Sequence, residues 1–235
     1  YLCHAYQPGS GFYQGRQPYL QEVRMGEDHW PHFVTGEYAS RTQPMPFAES
    51  AQVPVFDFSD DFTGATLRPE WSWNYPYTDV KTEIKNGKLS LSGTPKPLCL
   101  RPTSPNYTLE TAIVNRNDSW KGITIYGDAN NLITCGCAGD RLILKYILEG
   151  KEHQLADLPL PASPLYLQMK VTDGTHSTFY WSKDGQAWNE IVGEALSAKE
   201  TRSLIQWDRI SRPGLYQEGD PTAPAVYAYC LLKNE

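Results

Sequence analysis

Apolar and polar residues alternate along most of this chain, and short turn dipeptides interrupt the alternation. Around Asn86-Gly87 the flanks read VKTEIK and KLSLSG; around Asp173-Gly174 they read LYLQMKVT and HSTFYWSK. Asp184-Gly185 marks a third interruption, after STFYWSK. A period of two gives a strand one buried and one wet face. Asn-Gly and Asp-Gly accept the positive φ of a tight hairpin turn. The pattern therefore predicts an antiparallel, all-β protein and argues against a nucleotide-binding α/β enzyme.

From Val53 onward strand signals recur at short intervals: VPVFDF, VKTEI, KLSLS, LCLRPT, TLETAIV, GITIYG, LITCGC, RLILKYIL, KEHQLADL, LYLQMKVT, STFYWSK, AWNEIV and VYAYCLL. That density predicts a large two-sheet sandwich over residues 53–235. A short helical turn is expected near LSAKETRSL, from Leu196 to Leu204. Residues 1–35 hold β-like segments, YLCHAY, GRQPYLQEVRM and HWPHFV, that cannot enclose a core alone. Residues 36–52 are polar, carry Pro44 and Pro46 and lack periodicity, so they read as a linker.

Composition narrows the function classes. There are 21 basic and 27 acidic residues, a net charge of −6, and no Lys/Arg cluster, so nucleic acid has no electrostatic footprint here. No apolar run approaches the ~18 residues of a membrane span. The 15 Tyr and 7 Trp suit a strand-rich core, and they equally suit sugar stacking if their rings are exposed. Cys3, Cys99, Cys135, Cys137 and Cys230 make an odd count. Cys135-Gly136-Cys137 sets two thiols on one side of a strand, a spacing of neither a zinc knuckle nor a C-x-x-C pair. Buried free thiols are expected. The opening YLCHAY reads as the middle of a strand, so the chain is expected to be a fragment or a processed product.

Candidate chemistry is sparse. A catalytic Glu-x-Asp-x-x-Glu strand has its nearest match at Glu218-Gly219-Asp220, but the third position is Ala223 and Pro221 suits a loop. Asp57, Asp60 and Asp61 cluster in VFDFSDDF; they suit either a calcium site or a solvated strand end. Trp71, Trp73, Tyr75 and Tyr77 alternate in EWSWNYPY and would share one face of a strand, as core or as a sugar-stacking strip. No H-E-x-x-H, G-x-S-x-G or Gly-rich phosphate loop is present, and no organic cofactor is expected.

Two stretches together resemble glycoside hydrolase family 43. YLCHAY followed by GRQPYLQEVRMGEDHWPHFVTGE is similar to the closing segment of that family's five-bladed β-propeller, with Asp28-His29-Trp30-Pro31 where Asp-Gly-Trp-Pro is usual. DDFTGATLRPEWSWNYPY, KNGKLSLSG, GITIYGD, YWSKDGQAW and RPGLY, in that order, resemble the concanavalin A-like sandwich that follows the propeller in β-xylosidase and arabinofuranosidase members.

The resemblance implies a fold, an activity and site residues. The fold would be a concanavalin A-like antiparallel β-sandwich (jelly roll) over 53–235, a linker over 36–52 and the terminal strands of a propeller over 1–35. The parent protein would hydrolyse xylose- or arabinose-containing oligosaccharides with inversion, its partner here being its own upstream propeller. The three catalytic acids of the family lie on earlier blades, and none is carried over. His4 matches a propeller-axis His that helps bind a central metal ion or water, and Arg16 matches an Arg near the sugar pocket. A planar guanidinium suits sugar hydroxyls. Trp71 and Trp73 are the candidate sugar-contacting rings, and the sandwich could itself be a non-catalytic carbohydrate-binding module. Related sandwiches place a calcium-binding Asp near the last strand; here Tyr227-Ala228-Tyr229 has no acid, which leaves structural calcium to Asp57, Asp60 and backbone carbonyls.

Overall fold

The computed structural model describes residues 2–5, 17–40, 42–44, 56–73, 80–93, 96–161, 163–174, 176–191 and 211–235. Every regular element among them is a strand. Two short antiparallel pairs come first: β1 (Leu2–Ala5) with β2 (Gln17–Leu20), and β3 (Val23–Met25) with β4 (Pro31–Phe33). The remaining strands are β5 (Phe58–Asp60), β6 (Lys81–Ile84), β7 (Leu89–Ser92), β8 (Lys96–Cys99), β9 (Tyr107–Ile113), β10 (Trp120–Asp128), β11 (Asn131–Ala138), β12 (Arg141–Leu148), β13 (Lys151–Pro159), β14 (Leu165–Thr172), β15 (His176–Ser182), β16 (Asn189–Glu190), β17 (Arg212–Glu218) and β18 (Ala225–Asn234).

These form two antiparallel sheets. The smaller runs β13-β12-β11-β10-β17-β8; the larger runs β16-β15-β14-β9-β18-β7-β6, with β5 added on β18. The core lies between them, where Leu89, Leu91, Leu109, Leu167 and Met169 of the larger sheet meet Leu98, Ile123, Ile133, Cys135 and Leu215 of the smaller. The all-β, two-sheet sandwich expected from the alternation is the observed fold, in keeping with the concanavalin A-like sandwich that the resemblance implies.

The turn chemistry follows expectation at two hairpins. Asn86 and Gly87 have φ of 53° and 64°, and Asp173 and Gly174 have 53° and 65°. Both central residues are left-handed, as a turn matched to strand twist requires. The β12–β13 hairpin uses Glu149-Gly150, also at positive φ, which no dipeptide signal marks. Glu149 is held there by its neighbours: its N–H donates to Asn131 Oδ1 at 3.1 Å, and the Gly150 N–H donates to Asn130 O at 3.0 Å.

Three strand expectations change. Where VPVFDF is described, from Phe56, only its last residue, Phe58, is in a strand, the start of β5; residues 53–55 lie outside the described residues. EWSWNYPY is no continuous strand where it is described: Ser72 makes an isolated bridge to Cys99, and residues 74–79 lie outside the described residues. Strand β17 goes unmarked by period because Pro213 to Gln217 are all buried, which removes the alternation. The expected turn at Leu196–Leu204 lies outside the described residues.

Two buried polar side chains are satisfied inside the sandwich, and one of them, Tyr227, ties the layers together. Tyr227 in β18 is fully buried, and its hydroxyl crosses to the smaller sheet. It accepts from the Gly122 N–H at 3.2 Å and shares its proton between Tyr216 O at 2.8 Å and Gly122 O at 3.0 Å. Lys121 is buried too; its ammonium donates to Asn117 O at 2.9 Å and Ser119 O at 2.7 Å. Burial holds its pKa below the usual lysine range, opposed by nearby Cys137 and Asp118.

Candidate functional site

A sheet face turned away from the core is normally wet, but over β8, β10, β11 and β17 the outer face of the smaller sheet is not. Cys99, Trp120, Tyr126, Leu132 and Tyr216 form a second buried cluster there, with Ile143 and Ile147 against it. Strands β10 and β11 are accordingly buried on both faces over most of their length.

The register explains how the rings fit. Gly122 faces Gly136, Thr124 faces Thr134, and Thr124 also faces Gly214 on β17. These small residues make a low floor between bulky neighbours. A Cβ on Gly122 would come within 2.1 Å of Cys135 O, and one on Gly136 within 2.2 Å of Lys121 O, so only glycine fits. Trp120 lies along this floor, its indole N–H donating to Thr134 Oγ1 at 3.2 Å. Lys145 sits 4.6 Å above the Trp120 ring and pairs with Glu152 at 2.7 Å. Such a cation over an indole face is favourable.

The second wall is phenolic. Tyr126 and Tyr216 have ring centroids 6.1 Å apart, and the Tyr216 hydroxyl donates to Glu218 Oε2 at 3.4 Å. Burial, then the Glu218 charge, pushes the Tyr216 phenol up, so it stays protonated. Arg212 donates to Ser72 Oγ at 2.9 Å and closes the edge by β8. With the floor beneath Trp120 and Lys145 above it, the indole offers no open face to a sugar. The cluster is a packed layer with a charged rim, suited to stiffening this sheet or backing a neighbouring body.

The sequence-derived site residues are dispersed. Asp60 is buried: its Oδ1 accepts the Phe62 N–H at 2.9 Å and its Oδ2 accepts the Trp71 indole N–H at 2.8 Å. Trp71 packs edge-on to Phe58, with centroids 5.3 Å apart, and is 5% exposed. Its ring belongs to the core, which takes it out of the sugar-stacking strip. Trp73 is 42% exposed. Asp57 Oδ1 accepts the Asn234 N–H at 2.8 Å, clasping the chain's last strand. His4 lies in β1 opposite Pro18, and Arg16 lies outside the described residues.

This donor set does not fit calcium. The ion takes six to eight oxygens, whereas the Asp60 oxygens are already bound to protein donors and Asp57 serves a strand end. No group of three or more His, Cys, Asp or Glu that could hold a metal occurs among the described residues. Cys99, Cys135, Cys137 and Cys230 are unpaired and buried, as expected for structural thiols.

Sequence reasoning singled out none of Trp120, Tyr126, Lys145 or Tyr216. Period two assigns Trp120, Thr124 and Tyr126 to a wet face, and the glycine pair Gly122 and Gly136 was the available signal of a close-packed one.

A family model described as the β-xylosidase C-terminal concanavalin A-like domain matches residues 59–206. No curated protein matches the chain by sequence. Among solved structures, the GH43 BlXynB protein from Bacillus licheniformis has a TM-score of 0.72 at 18% identity, covering 100% of this chain and 50% of that one. The xylan β-1,4-xylosidase from Bacillus halodurans C-125 has a TM-score of 0.72 at 20% identity, covering 99% and 50%. The GH43B protein of a Bacteroides ovatus xyloglucan locus has a TM-score of 0.76 at 19% identity, covering 100% and 51%. At these identities the likeness is one of fold. The chain spans about half the length of each of these structures.

Proposed function

The chain belongs to the β-xylosidase C-terminal concanavalin A-like domain family, and from that premise we propose that it is the C-terminal portion of a glycoside hydrolase acting on xylose- or arabinose-containing plant saccharides. In this reading residues 1–35 close a β-propeller, residues 36–52 link, and the sandwich over 53–235 supports the propeller and shapes its pocket.

The observation that carries the proposal is the apolar surface of the first segment. Leu20, Met25 and Trp30 are 57%, 68% and 70% exposed. Large apolar groups left exposed on short strands and the turn between them suit burial against a larger body. The turn that presents Trp30 is ordered: Asp28 accepts the Trp30 N–H at 3.1 Å and pairs with His32 at 2.9 Å. The buried outer face of the smaller sheet supports a stiff accessory body.

The carboxylates for hydrolysis would come from the upstream part of the protein. An inverting reaction needs an acid and a base far enough apart to admit water. Arg16 would contact the sugar at the pocket, and His4 would sit at the propeller axis. A second reading, carbohydrate binding by the sandwich itself, draws on the exposed Trp73 ring.

Removing residues 53–235 from the full-length protein tests the proposal. Loss of stability, together with a changed preference between aryl xyloside and aryl arabinofuranoside, is expected. Unchanged activity, specificity and stability would overturn it.

A further inference from the structure

The outer face of the larger sheet differs from that of the smaller one. On β14, Tyr166 and Gln168 alternate with the buried Leu165, Leu167 and Met169, so they point away from the core. On β15, Tyr180 lies opposite Gln168 and turns away from buried Phe179. On β9, Glu110 lies opposite Gln168 from the other side. Tyr229 of β18 completes the row, its hydroxyl donating to Glu110 Oε1 at 2.8 Å.

These groups are held in place. Gln168 Nε2 donates to the second Glu110 oxygen at 3.0 Å, so both ends of the carboxylate are fixed. The rings of Tyr166 and Tyr229 lie 6.5 Å apart at 43°. Gly185, at φ 72°, brings the turn after β15 so close to Tyr166 that a Cβ there would stand 3.0 Å from the ring. Tyr166, Gln168, Tyr180, Glu110 and Tyr229 are each half-buried. Among the described residues, no protein group bonds the hydroxyls of Tyr166 and Tyr180. Gln168 donates to Glu110 and leaves its amide oxygen to accept from elsewhere.

We infer that this face, at Tyr166, Gln168, Tyr180, Glu110 and Tyr229, is a binding site for a neutral, hydroxyl-rich saccharide chain. Three alternatives fit less well. An anionic ligand would meet Glu110 and Glu190, while Lys170 faces Glu235 at 3.9 Å. An apolar protein partner would find no large exposed aliphatic here; among the described residues those lie elsewhere, as at Met25, Val34 and Leu158. A nucleic acid would meet the same carboxylates. Aromatic rings with fixed carboxylate and amide oxygens beside them match the apolar faces and hydroxyls of pyranoses. The plant-type identity of the ligand rests on the reading of the parent as a glycosidase; the site itself does not.

Affinity electrophoresis of the chain in gels carrying arabinoxylan, xyloglucan or a soluble glucan tests the site, with xylohexaose titration for affinity. The chain should be retarded by at least one polymer. The Tyr166→Ala/Tyr180→Ala double variant should bind about tenfold more weakly, on the order of the loss of ring contacts worth one decade of affinity. Tyr166→Phe should keep most of the binding, since it keeps the ring. Gln168→Glu is nearly isosteric, so it reads the site even if the alanine variant misfolds; its second carboxylate beside Glu110 should weaken binding. Migration of the wild-type chain in all three gels as in a gel without polysaccharide, or wild-type binding by the folded double alanine variant or by folded Gln168→Glu, would overturn the inference. Hydrolysis of an aryl xyloside by the full-length wild-type protein is measured separately, so failure of the enzymatic reading is distinguishable from failure of this site.

Discussion

The carboxylate of Asp60 accepts the indole N–H of Trp71 at 2.8 Å, inside the core. Its other oxygen caps the Phe62 N–H at 2.9 Å. One acid thus fixes both the start of the sandwich and an aromatic cluster of Phe58, Phe62 and Trp71. Asp60→Ala leaves two buried donors unpaired, at about 1–3 kcal/mol each. The urea midpoint is expected to fall clearly, while chelation of calcium leaves the wild-type midpoint unmoved. A midpoint that drops with chelator would refute the structural assignment of Asp60.

Tyr227 joins the two sheets through one hydroxyl. Tyr227→Phe keeps the ring but strips the Gly122 N–H of its acceptor and removes a donor to Tyr216 O. A loss of about 1–3 kcal/mol is expected. Tyr229→Phe, at a half-exposed site, should cost less than half as much. Equal losses in equilibrium unfolding would show that position, rather than the bridging bond, sets the effect.

Gly122 and Gly136 face each other where neighbouring backbone leaves no room for a Cβ. Backbone oxygens at 2.1 and 2.2 Å cannot yield as a side-chain tip can. Gly122→Ala and Gly136→Ala should each destabilise by about 3 kcal/mol or more, the upper end of overpacking costs. Gly64→Ala, whose added Cβ has only Thr66 O at 3.5 Å, is the control and should move the melting temperature little.

Stability should fall on the alkaline side. Burial pushes the thiols of Cys99, Cys135, Cys137 and Cys230 up, that of Cys99 to about 12. A thiol with a raised folded pKa keeps its proton in the native state while the unfolded chain releases it. Its stabilisation is complete below the ordinary thiol value of about 8.5 and is lost as pH rises through the folded pKa. The buried phenols of Tyr107, Tyr216 and Tyr227, with the half-buried one of Tyr229, extend the trend above about 10. Lys121 opposes it, since its depressed pKa adds stability as the ammonium loses its proton. Urea midpoints should be level near neutrality and decline beyond about pH 9. At pH 8, a thiol reagent should reach these four cysteines only at the unfolding rate. Immediate modification of the native chain would contradict the burial.

The alternation in KLSLSG and LYLQMKVT, with Asn86-Gly87 and Asp173-Gly174 between strands, was enough to mark those hairpins and their inner faces. Both signals are local: side-chain period and turn φ are settled within a few residues. The four buried thiols were legible for a similar reason, since they lie in runs that read as strand. Trp71 and Trp73 were not separable. Their spacing implies one shared face only on a regular strand, and with just Ser72 paired, one ring enters the core and the other meets solvent.

The type of sheet, the alternating strands and the turns marked by Asn-Gly or Asp-Gly were therefore determined by the sequence itself. What tertiary structure decided is which faces stay wet. Trp120, Tyr126 and Tyr216 occupy positions that period two marks as solvent-facing, yet the glycine floor and Lys145 enclose them. Tyr166, Tyr180 and Tyr229 have the same residue chemistry and remain half-open. Burial depends on what lies across the sheet and beside it, and those neighbours come from strands far apart in sequence, as Tyr229 and Glu110, 119 residues apart, do.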